Sequence, residues 1–172
     1  MPQTSNLKIE IRPANNESLT DLGLCAKEFI DFIDDFKNKF LNKVFFVLSA
    51  HLNDILVGIL VAEDKSQKLD SLEKLVPIVY LHLLFVNPIS RNKKIGEKIL
   101  KEFLSIQKQK GIAYIYIKIP QNYKEGIKYL SKNNFQHVGK KANKIILKYN
   151  LWNDYGIRKC HNINDIFNNI FQ

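Results

Sequence analysis

Several features of secreted, membrane-spanning and metal-binding proteins are scarce in this sequence. Its 172 residues contain only two cysteines, Cys25 and Cys160, too few to form a metal site alone. They could form one long-range disulfide, but free thiols in a reducing cytoplasm are the better expectation. The sequence contains no run of about 18 apolar residues, so we do not expect a membrane-spanning helix. The first six residues also lack the basic and apolar regions of a secretory signal. We therefore expect a cytoplasmic protein.

Acidic side chains are scarce in the second half of the chain. Residues 1–90 contain 9 basic and 12 acidic side chains, a net charge of −3, whereas residues 91–172 contain 17 and 5, a net charge of +12. A basic half predicts a polyanionic partner, either nucleic acid or a phosphate-rich cofactor, unless it is simply a solvated surface. The acidic cluster of Asp31, Asp34 and Asp35 in the first half hints instead at a cationic substrate.

Apolar periodicity predicts one domain, residues 1–150, in which strands and helices alternate. Helical spacing predicts a helix between about residues 20 and 36 and two further helices later in the chain. A mixed sheet with helices on its faces follows from this order, an α/β (α+β) fold. The polar tail, residues 151–172, has apolar residues at helical spacing, and we expect a helix packed on the domain or at a homodimer interface. The other predicted elements are strands at 7–11, 44–48, 55–62, 77–86 and 112–119, a strand pair within 137–149, and helices at 95–111 and 123–132, with a polar loop at 63–74.

The stretch from Asn87 to Gly96 predicts a strand-to-helix turn that binds phosphate. A helix that begins after a buried strand presents unpaired amides and the positive end of its dipole, and phosphate oxygens satisfy both. Arg91, Lys93 and Lys94 add positive charge, and Gly96 allows close backbone approach. The turn is neither the three-glycine dinucleotide fingerprint nor a Walker A loop, because the required glycines and Gly-Lys-Ser/Thr are missing.

The same residues resemble motif A of the GNAT acetyltransferase superfamily. Its pattern, Gln/Arg-x-x-Gly-x-Gly/Ala, is matched by Arg91 and Gly96, while Lys94 stands where the middle glycine is usual. The segment Gly126–Phe135 resembles the family's Ala-Ile-x-Leu-Tyr-Glu-Lys-x-Gly-Phe, and Ile9–Ala14 resembles its first strand. The resemblance covers residues 7 to 149. It implies a mostly antiparallel sheet of about six or seven strands, with a splay between the strands at 78–86 and 112–119.

The resemblance also implies a site for acetyl-CoA in that splay. Backbone groups of Leu84, Phe85 and Val86, on the strand at 78–86, would pair with the pantetheine arm. The amides from Asn92 to Glu97 would hold the diphosphate. Asn122 or Tyr123 would border the cofactor from the other side. The predicted cofactor-binding residues are Leu84, Phe85, Val86, Arg91, Asn92, Lys93, Lys94, Ile95, Gly96, Glu97, Asn122 and Tyr123.

Acetyl transfer to an amine needs a base, and His82 is the candidate. A neutral imidazole with a pKa near 6.5 accepts a proton at about neutral pH. The arylalkylamine branch of the superfamily carries a histidine at this position. Glutamates that other branches use fall at Tyr80 and Lys118, so those carboxylates are missing. Regular strand alternation would place His82 on one face with Tyr80, Leu84 and Val86. Alternatively, His82 fills a polar gap beside the sheet.

The general acid and the oxyanion donor are harder to assign. The amide of Leu84 is the expected oxyanion donor by its position before the splay. The family's usual acid, a tyrosine, aligns with Leu130 when Phe135 is the anchor, which makes Tyr129 a core residue. Alignment from Asn122 brings Tyr129 into place instead, and Tyr123 is a further candidate. The acid could also be absent, since a thiolate leaves fairly readily.

Three functions therefore compete. The first is an acetyl-CoA-dependent N-acetyltransferase acting on a primary amine of a small molecule, a peptide N terminus or a lysine. The second is a GNAT-fold protein that binds acyl-CoA or a protein partner without catalysis. The third, ranked last, is a nucleic-acid-binding module using Tyr114, Tyr116 and Lys118 on one strand face. His51, His137, and also His161 in the tail, show no ligand spacing, so no metal is expected.

Overall fold

A computed structural model describes residues 8–15, 33–66 and 77–155 of the chain. Within these ranges the chain forms seven strands and three α-helices. Most of the helix predicted between residues 20 and 36, and the tail from 156 onward, lie outside the described residues. The strands are β1 (Ile9–Ala14), β2 (Phe45–Leu52), β3 (Ile55–Asp64), β4 (Ile78–Val86), β5 (Tyr114–Pro120), β6 (Gln136–Lys141) and β7 (Lys144–Asn150), and the helices are α1 (Phe36–Leu41), α2 (Ile95–Gln109) and α3 (Lys124–Lys132).

The seven strands form a single mixed sheet in the order β1-β2-β3-β4-β5-β7-β6. Every neighbouring pair is antiparallel except β4 and β5, which run parallel. The crossover between these two strands contains α2, as a parallel connection requires. The predicted mixed, mostly antiparallel sheet flanked by helices is therefore confirmed.

The parallel pair β4 and β5 separates after three residue pairs. Their ladder runs only from Ile78–Tyr114 to Tyr80–Tyr116. Beyond that point β4 continues to Val86 and β5 to Pro120, and the ladder between them does not continue. A gap therefore opens in the middle of the sheet, as the resemblance implied.

A β-bulge lies in β4 next to this gap. Val61 of β3 pairs with Leu83, whereas the next residue, Ala62, pairs with Leu81. His82 is the extra residue between the two pairs. A bulge locally interrupts the strict alternation of side chains between the faces of a strand.

The bulge overturns the prediction that Tyr80, His82, Leu84 and Val86 share one face. Leu84 and Val86 pack against the core beneath α2. His82 lies on the opposite face, where its ring meets the ring of Phe45 edge-on at 5.9 Å. Regular alternation failed here because the extra residue shifts all later side chains by one position.

The strand β3 is longer than predicted. It continues through Glu63 and Asp64, two residues that were expected to begin a loop, and Glu63 pairs with Tyr80 of β4. A charged residue within a buried strand is costly unless it is paired. Here Lys39 and Lys65 both contact the Glu63 carboxylate, which makes the longer strand tolerable.

The helix α2 covers one face of the sheet with the predicted apolar stripe. Ile95, Ile99, Leu100 and Phe103 are at most 1% exposed. Burying each such side chain stabilises the fold by about 1.5–3 kcal/mol. Gly111 follows the helix with a φ of 75°, a conformation that favours glycine and ends the helix where predicted. A smaller apolar cluster, Ile33, Phe45, Val47, Ile59 and Val61, occupies the opposite face.

Candidate active site

The turn between β4 and α2 is held by bonds of its own side chains. A short 3₁₀ helix, Pro88–Ser90, follows the strand, and the side chain of Asn87 accepts a hydrogen bond from the amide of Ile89 at 3.1 Å. The Nε of Arg91 donates to the carbonyl of Val86, also at 3.1 Å. Arg91 thus fixes the turn to the end of β4, at the mouth of the gap.

The first turn of α2 presents amides with no acceptor in the helix. The first bond within the helix runs from the amide of Lys98 to the carbonyl of Lys94, at 3.0 Å. The amides of Ile95, Gly96 and Glu97 precede it, and the side chain of Lys94 makes no capping bond. These donors and the positive helix end suit an anion.

Two residues of the turn adopt the left-handed backbone conformation. Asn92 has a φ of 65° and Lys94 a φ of 58°. This conformation costs a residue with a side chain roughly 1–2 kcal/mol, while glycine adopts it freely. Lys94 stands where the resembled pattern has glycine, so the chain keeps the backbone shape and lacks the usual residue. Turns of this kind direct successive amides toward one point and bind anions.

Tyr129 on α3 reaches the same turn. Its hydroxyl is buried and has no hydrogen-bond partner in the described part of the chain. A Cβ placed on Gly96 would lie 3.3 Å from this hydroxyl and 3.5 Å from Val86. Burial, and then the charge of Glu97, raise the pKa of Tyr129, so the phenol is neutral and able to donate. Leu130 instead packs in the core.

The other residues predicted to bind the cofactor surround the gap. Leu84, Phe85 and Val86 lie on β4 beyond its last pairing with β5. Asn122 and Tyr123 lie between β5 and α3, and both are exposed. Lys93 and Lys94 are exposed at the turn itself.

His82 contacts a buried carboxylate. Its Nε2 lies 2.8 Å from Oε2 of Glu63. The Glu63 side chain is 2% exposed, and it also contacts the ammonium of Lys39 at 3.1 Å and that of Lys65. The His82 side chain is 14% exposed. One carboxylate therefore joins β3, β4 and α1 beside the bulge.

This contact sets the ionisation of both groups. Burial alone would raise the pKa of Glu63, but hydrogen bonds from Lys65, His82 and Lys39 outweigh it and bring that pKa to about 2. Burial lowers the pKa of His82 below its usual 6.5, and the bond to Glu63 only partly opposes this. At neutral pH the pair is therefore a carboxylate and a neutral imidazole.

Glu63 is the residue that the sequence analysis missed. The resemblance implies carboxylates at positions 80 and 118 of the neighbouring strands, and the polarity of residues 63–74 predicts a loop. Its signal was present, because position 63 continues the same-face series of Ile59 and Val61. An acidic residue at the end of such a series points its side chain toward the buried side of the sheet.

An aromatic row crosses the sheet on the face opposite α2. The ring of Tyr80 stacks on Tyr116 at 5.7 Å, and Tyr114 lies next to Tyr116 and stacks on Trp152 at 6.2 Å. The ammonium of Lys118 lies 5.5 Å from the ring centre of Tyr80. Tyr114, Tyr116 and Lys118 therefore share one face, as their spacing predicts.

No helix within residues 8–15, 33–66 and 77–155 is long and apolar enough to cross a bilayer. No group of three histidine, cysteine or acidic side chains in the same ranges could hold a metal ion. His51 lies in β2 and His137 in β6, so the two are far apart in the sheet order.

Sequence comparisons give no match, but structural comparisons do. No family model matches the chain, and no curated protein matches it. Among solved structures, the PaiA N-acetyltransferase of Thermoplasma acidophilum, in complex with coenzyme A, aligns with a TM-score of 0.63 and 20% identity. The alignment covers 84% of this chain and 99% of that protein. The chain has the GNAT fold.

Two plant proteins with the GNAT fold are similar to the same extent. NAA60 of Arabidopsis thaliana, in complex with acetyl-CoA, aligns at a TM-score of 0.65 and 18% identity over 83% of this chain and 98% of its own. Naa50 of the same plant, in complex with the bisubstrate analogue CoA-Ac-MVNAL, aligns at a TM-score of 0.64 and 18% identity. That alignment covers 82% of this chain and 97% of Naa50. At such identities the likeness establishes the fold, and residue roles need their own argument.

Proposed function

We propose that this protein is an acetyl-CoA-dependent N-acetyltransferase that moves the acetyl group directly to a primary amine. The observation that carries the proposal is the gap between β4 and β5. It leads to amides at the start of α2 that have no acceptor in the helix, and there the buried hydroxyl of Tyr129 has no hydrogen-bond partner among the described residues. Solved structures of similar fold contain coenzyme A or acetyl-CoA, which supports this cofactor here.

The residues present fit acetyl-CoA. The amides of Ile95, Gly96 and Glu97 would hold the diphosphate, with Lys93 and Lys94 adding charge. The pantetheine arm is an extended chain with amide groups, suited to pairing with the part of β4 that β5 leaves unpaired. That part contains Leu84, Phe85 and Val86, and Asn122 and Tyr123 would line the other side.

The chemistry assigns one task to each group. When bound, acetyl-CoA supplies a thioester whose carbonyl carbon is attacked by the amine, so that a C–N bond forms and the C–S bond breaks. His82 is neutral at pH 7 and takes the proton that the amine loses. The amide of Leu84 is the expected donor to the developing oxyanion. Tyr129 is the candidate acid for the leaving sulfur, because its neutral hydroxyl can donate a proton.

The acceptor is a primary amine of a small molecule, a peptide N terminus or a lysine side chain. The acidic segment suggested a cationic acceptor, but Asp34 faces Lys144 at 3.4 Å and Asp35 accepts from Asn38 at 2.7 Å. Lysines 39 and 65 lie next to the His82 pair instead. These charges favour an acceptor whose amine is its only positive group. The Naa50 complex contains a peptide-based analogue, so peptides belong in the test.

Thermal unfolding with and without ligand tests cofactor binding. Acetyl-CoA at 100 times its Kd should stabilise the folded protein by about 2.7 kcal/mol. Acetyl-pantetheine, which lacks the diphosphate, should give a much smaller shift, because the α2 amides gain no anion. No shift at millimolar acetyl-CoA would contradict the proposal. Acetylation of a panel of amines and peptides, followed by mass spectrometry, then tests transfer.

The two alternatives have separate tests. A non-catalytic acyl-CoA-binding protein was motivated by the displaced tyrosine and the missing carboxylates, but Tyr129 faces the turn and Glu63 contacts His82. Clear acetylation of any amine would exclude it. The aromatic row with Lys118 is the observation that favours nucleic-acid binding, since bases stack on such rings. Filter binding at low salt should then show affinity that falls steeply as salt increases.

A further inference from the structure

We infer that Glu63 is a positioning residue that makes Nδ1 of His82 the nitrogen that accepts the proton of the amine. The inference rests on the proposed acetyl transfer for its chemical meaning. Its structural part, the tautomer of His82, stands on the contacts of the described residues. Three observations support it.

The first observation is the bond itself. Nε2 of His82 and Oε2 of Glu63 are 2.8 Å apart, within the usual range of a hydrogen bond that involves a charged group. An ionised carboxylate can only accept. The hydrogen of this bond therefore belongs to Nε2. A neutral imidazole carries a single N–H, so Nδ1 keeps its lone pair.

The second observation is the fixed charge of Glu63. A carboxyl group at a 2% exposed position would ordinarily take up a proton. Lys39 contacts Oε2 and Lys65 contacts Oε1 of this carboxylate, and these two ion pairs hold it ionised. Without these lysines, a protonated Glu63 could donate to His82 and reverse the tautomer. The two lysines therefore keep Glu63 as the acceptor and Nε2 of His82 as the donor of their hydrogen bond.

The third observation is the β-bulge. His82 is the extra residue of β4, and Glu63 is the residue of β3 that pairs with the neighbouring Tyr80. The bulge interrupts the alternation of side chains between the two faces next to His82. On the face opposite α2, the His82 ring packs edge-on against Phe45. The ring is held on one side by a bond and on another by packing, so its orientation is set before an acceptor binds.

The structural part is tested by nitrogen and proton NMR of protein labelled in histidine. In the wild type near pH 8, His82 should be neutral, with hydrogen on Nε2 in slow exchange with water and a bare Nδ1. Glu63→Gln keeps the size of the side chain and removes its charge. It should abolish the slow exchange or mix the tautomers. Hydrogen on Nδ1 in the wild type would overturn the inference.

The functional part is tested by the pH profile of kcat with acetyl-CoA saturating. Glu63 raises the pKa of His82, whereas the nearby charge of Lys65 lowers it. Glu63→Gln should reduce kcat about 10- to 100-fold, part of the ~10²–10⁴ typical of a base, and move the acid limb to lower pH. The matched variant Lys65→Met should move that limb to higher pH. Within the described residues the charged groups that act on His82 are Glu63, Lys39 and Lys65.

The outcomes separate the two proposals. A general loss of stability cannot shift the acid limb in opposite directions, so opposite shifts support the positioning role. Shifts in the same direction, or none, with an active wild type would refute it. Glu63→Asp keeps the charge and should restore part of the rate lost in Glu63→Gln. A wild type that shows the Nε2 hydrogen yet acetylates no amine would instead refute the proposed function.

Discussion

The two halves of the candidate site are built in opposite ways. At the start of α2, backbone conformation forms the site, and the basic side chains around it are exposed. At the bulge in β4, side chains form the site, and Glu63 is almost completely buried. The turn resembles a solvent-facing anion site, whereas the bulge contains a desolvated network.

This contrast predicts that binding and chemistry are separable. Changes at the turn should alter the Kd of acetyl-CoA, because the proposed diphosphate site lies there. Changes at the bulge should alter turnover, because His82 lies on the face opposite α2 and Tyr129. Acetyl-CoA bound as proposed would therefore have to extend through the gap between β4 and β5.

The largest expected effect is that of His82→Ala on turnover. Loss of the proposed base should reduce kcat about 10²- to 10⁴-fold. The Kd of acetyl-CoA, measured by calorimetry, should stay within about twofold of the wild-type value. Unchanged turnover would show that His82 has no role in the mechanism. An equally large loss of acetyl-CoA binding would show that the two regions do not act separately.

The next effect is the dependence of stability on acid pH. The pKa of Glu63 in the folded protein is about 2, below the usual 4.5, so its stabilisation is present above about pH 4.5 and is lost as the pH falls toward 2. The shift corresponds to about 3 kcal/mol. Urea unfolding at pH 5 and pH 2.5 should show a correspondingly larger loss for the wild type than for Glu63→Gln. Equal losses would contradict this ionisation.

At the turn, Gly96→Val should weaken acetyl-CoA binding about 10- to 100-fold, equivalent to about 1.4–2.7 kcal/mol. The added Cβ would lie 3.3 Å from the Tyr129 hydroxyl, and its methyl groups would occupy the approach to the amides. Gly139→Val is the matched control, since a Cβ there meets nothing within 4 Å. Similar Kd values for the two variants would argue against a diphosphate at this turn.

The smallest effect is expected for Tyr129→Phe. Turnover should fall only about 10-fold, because a thiolate with a pKa near 8.5 leaves readily without an acid. Stability should stay the same or rise by up to about 1 kcal/mol, since the hydroxyl is buried with no partner in residues 8–15, 33–66 and 77–155. Turnover and thermal unfolding, measured for both Tyr129→Phe and Tyr123→Phe, show which tyrosine acts as the acid. A rate loss in Tyr123→Phe alone would reassign the acid.

Most of the helices and strands near the site can be predicted from the sequence, but the sheet face on which each side chain lies cannot. The predicted order of strands, the helix from Ile95 and its end at Gly111 follow from local periodicity and turn residues, and all three are confirmed. The bulge at His82 is set by pairing with β3, which local patterns do not contain. The left-handed conformation of Lys94 could not be predicted from the sequence either, because it appears only in the folded turn.

Local periodicity and charge are enough to specify the mixed sheet, the α2 stripe and the charged turn at its start. The folded chain alone reveals that β4 and β5 separate after Tyr80, that Tyr129 rather than Leu130 faces the turn, and that Glu63 contacts His82. Each of these depends on strand register and on packing between distant segments. The free energy of such contacts exists only when several elements come together.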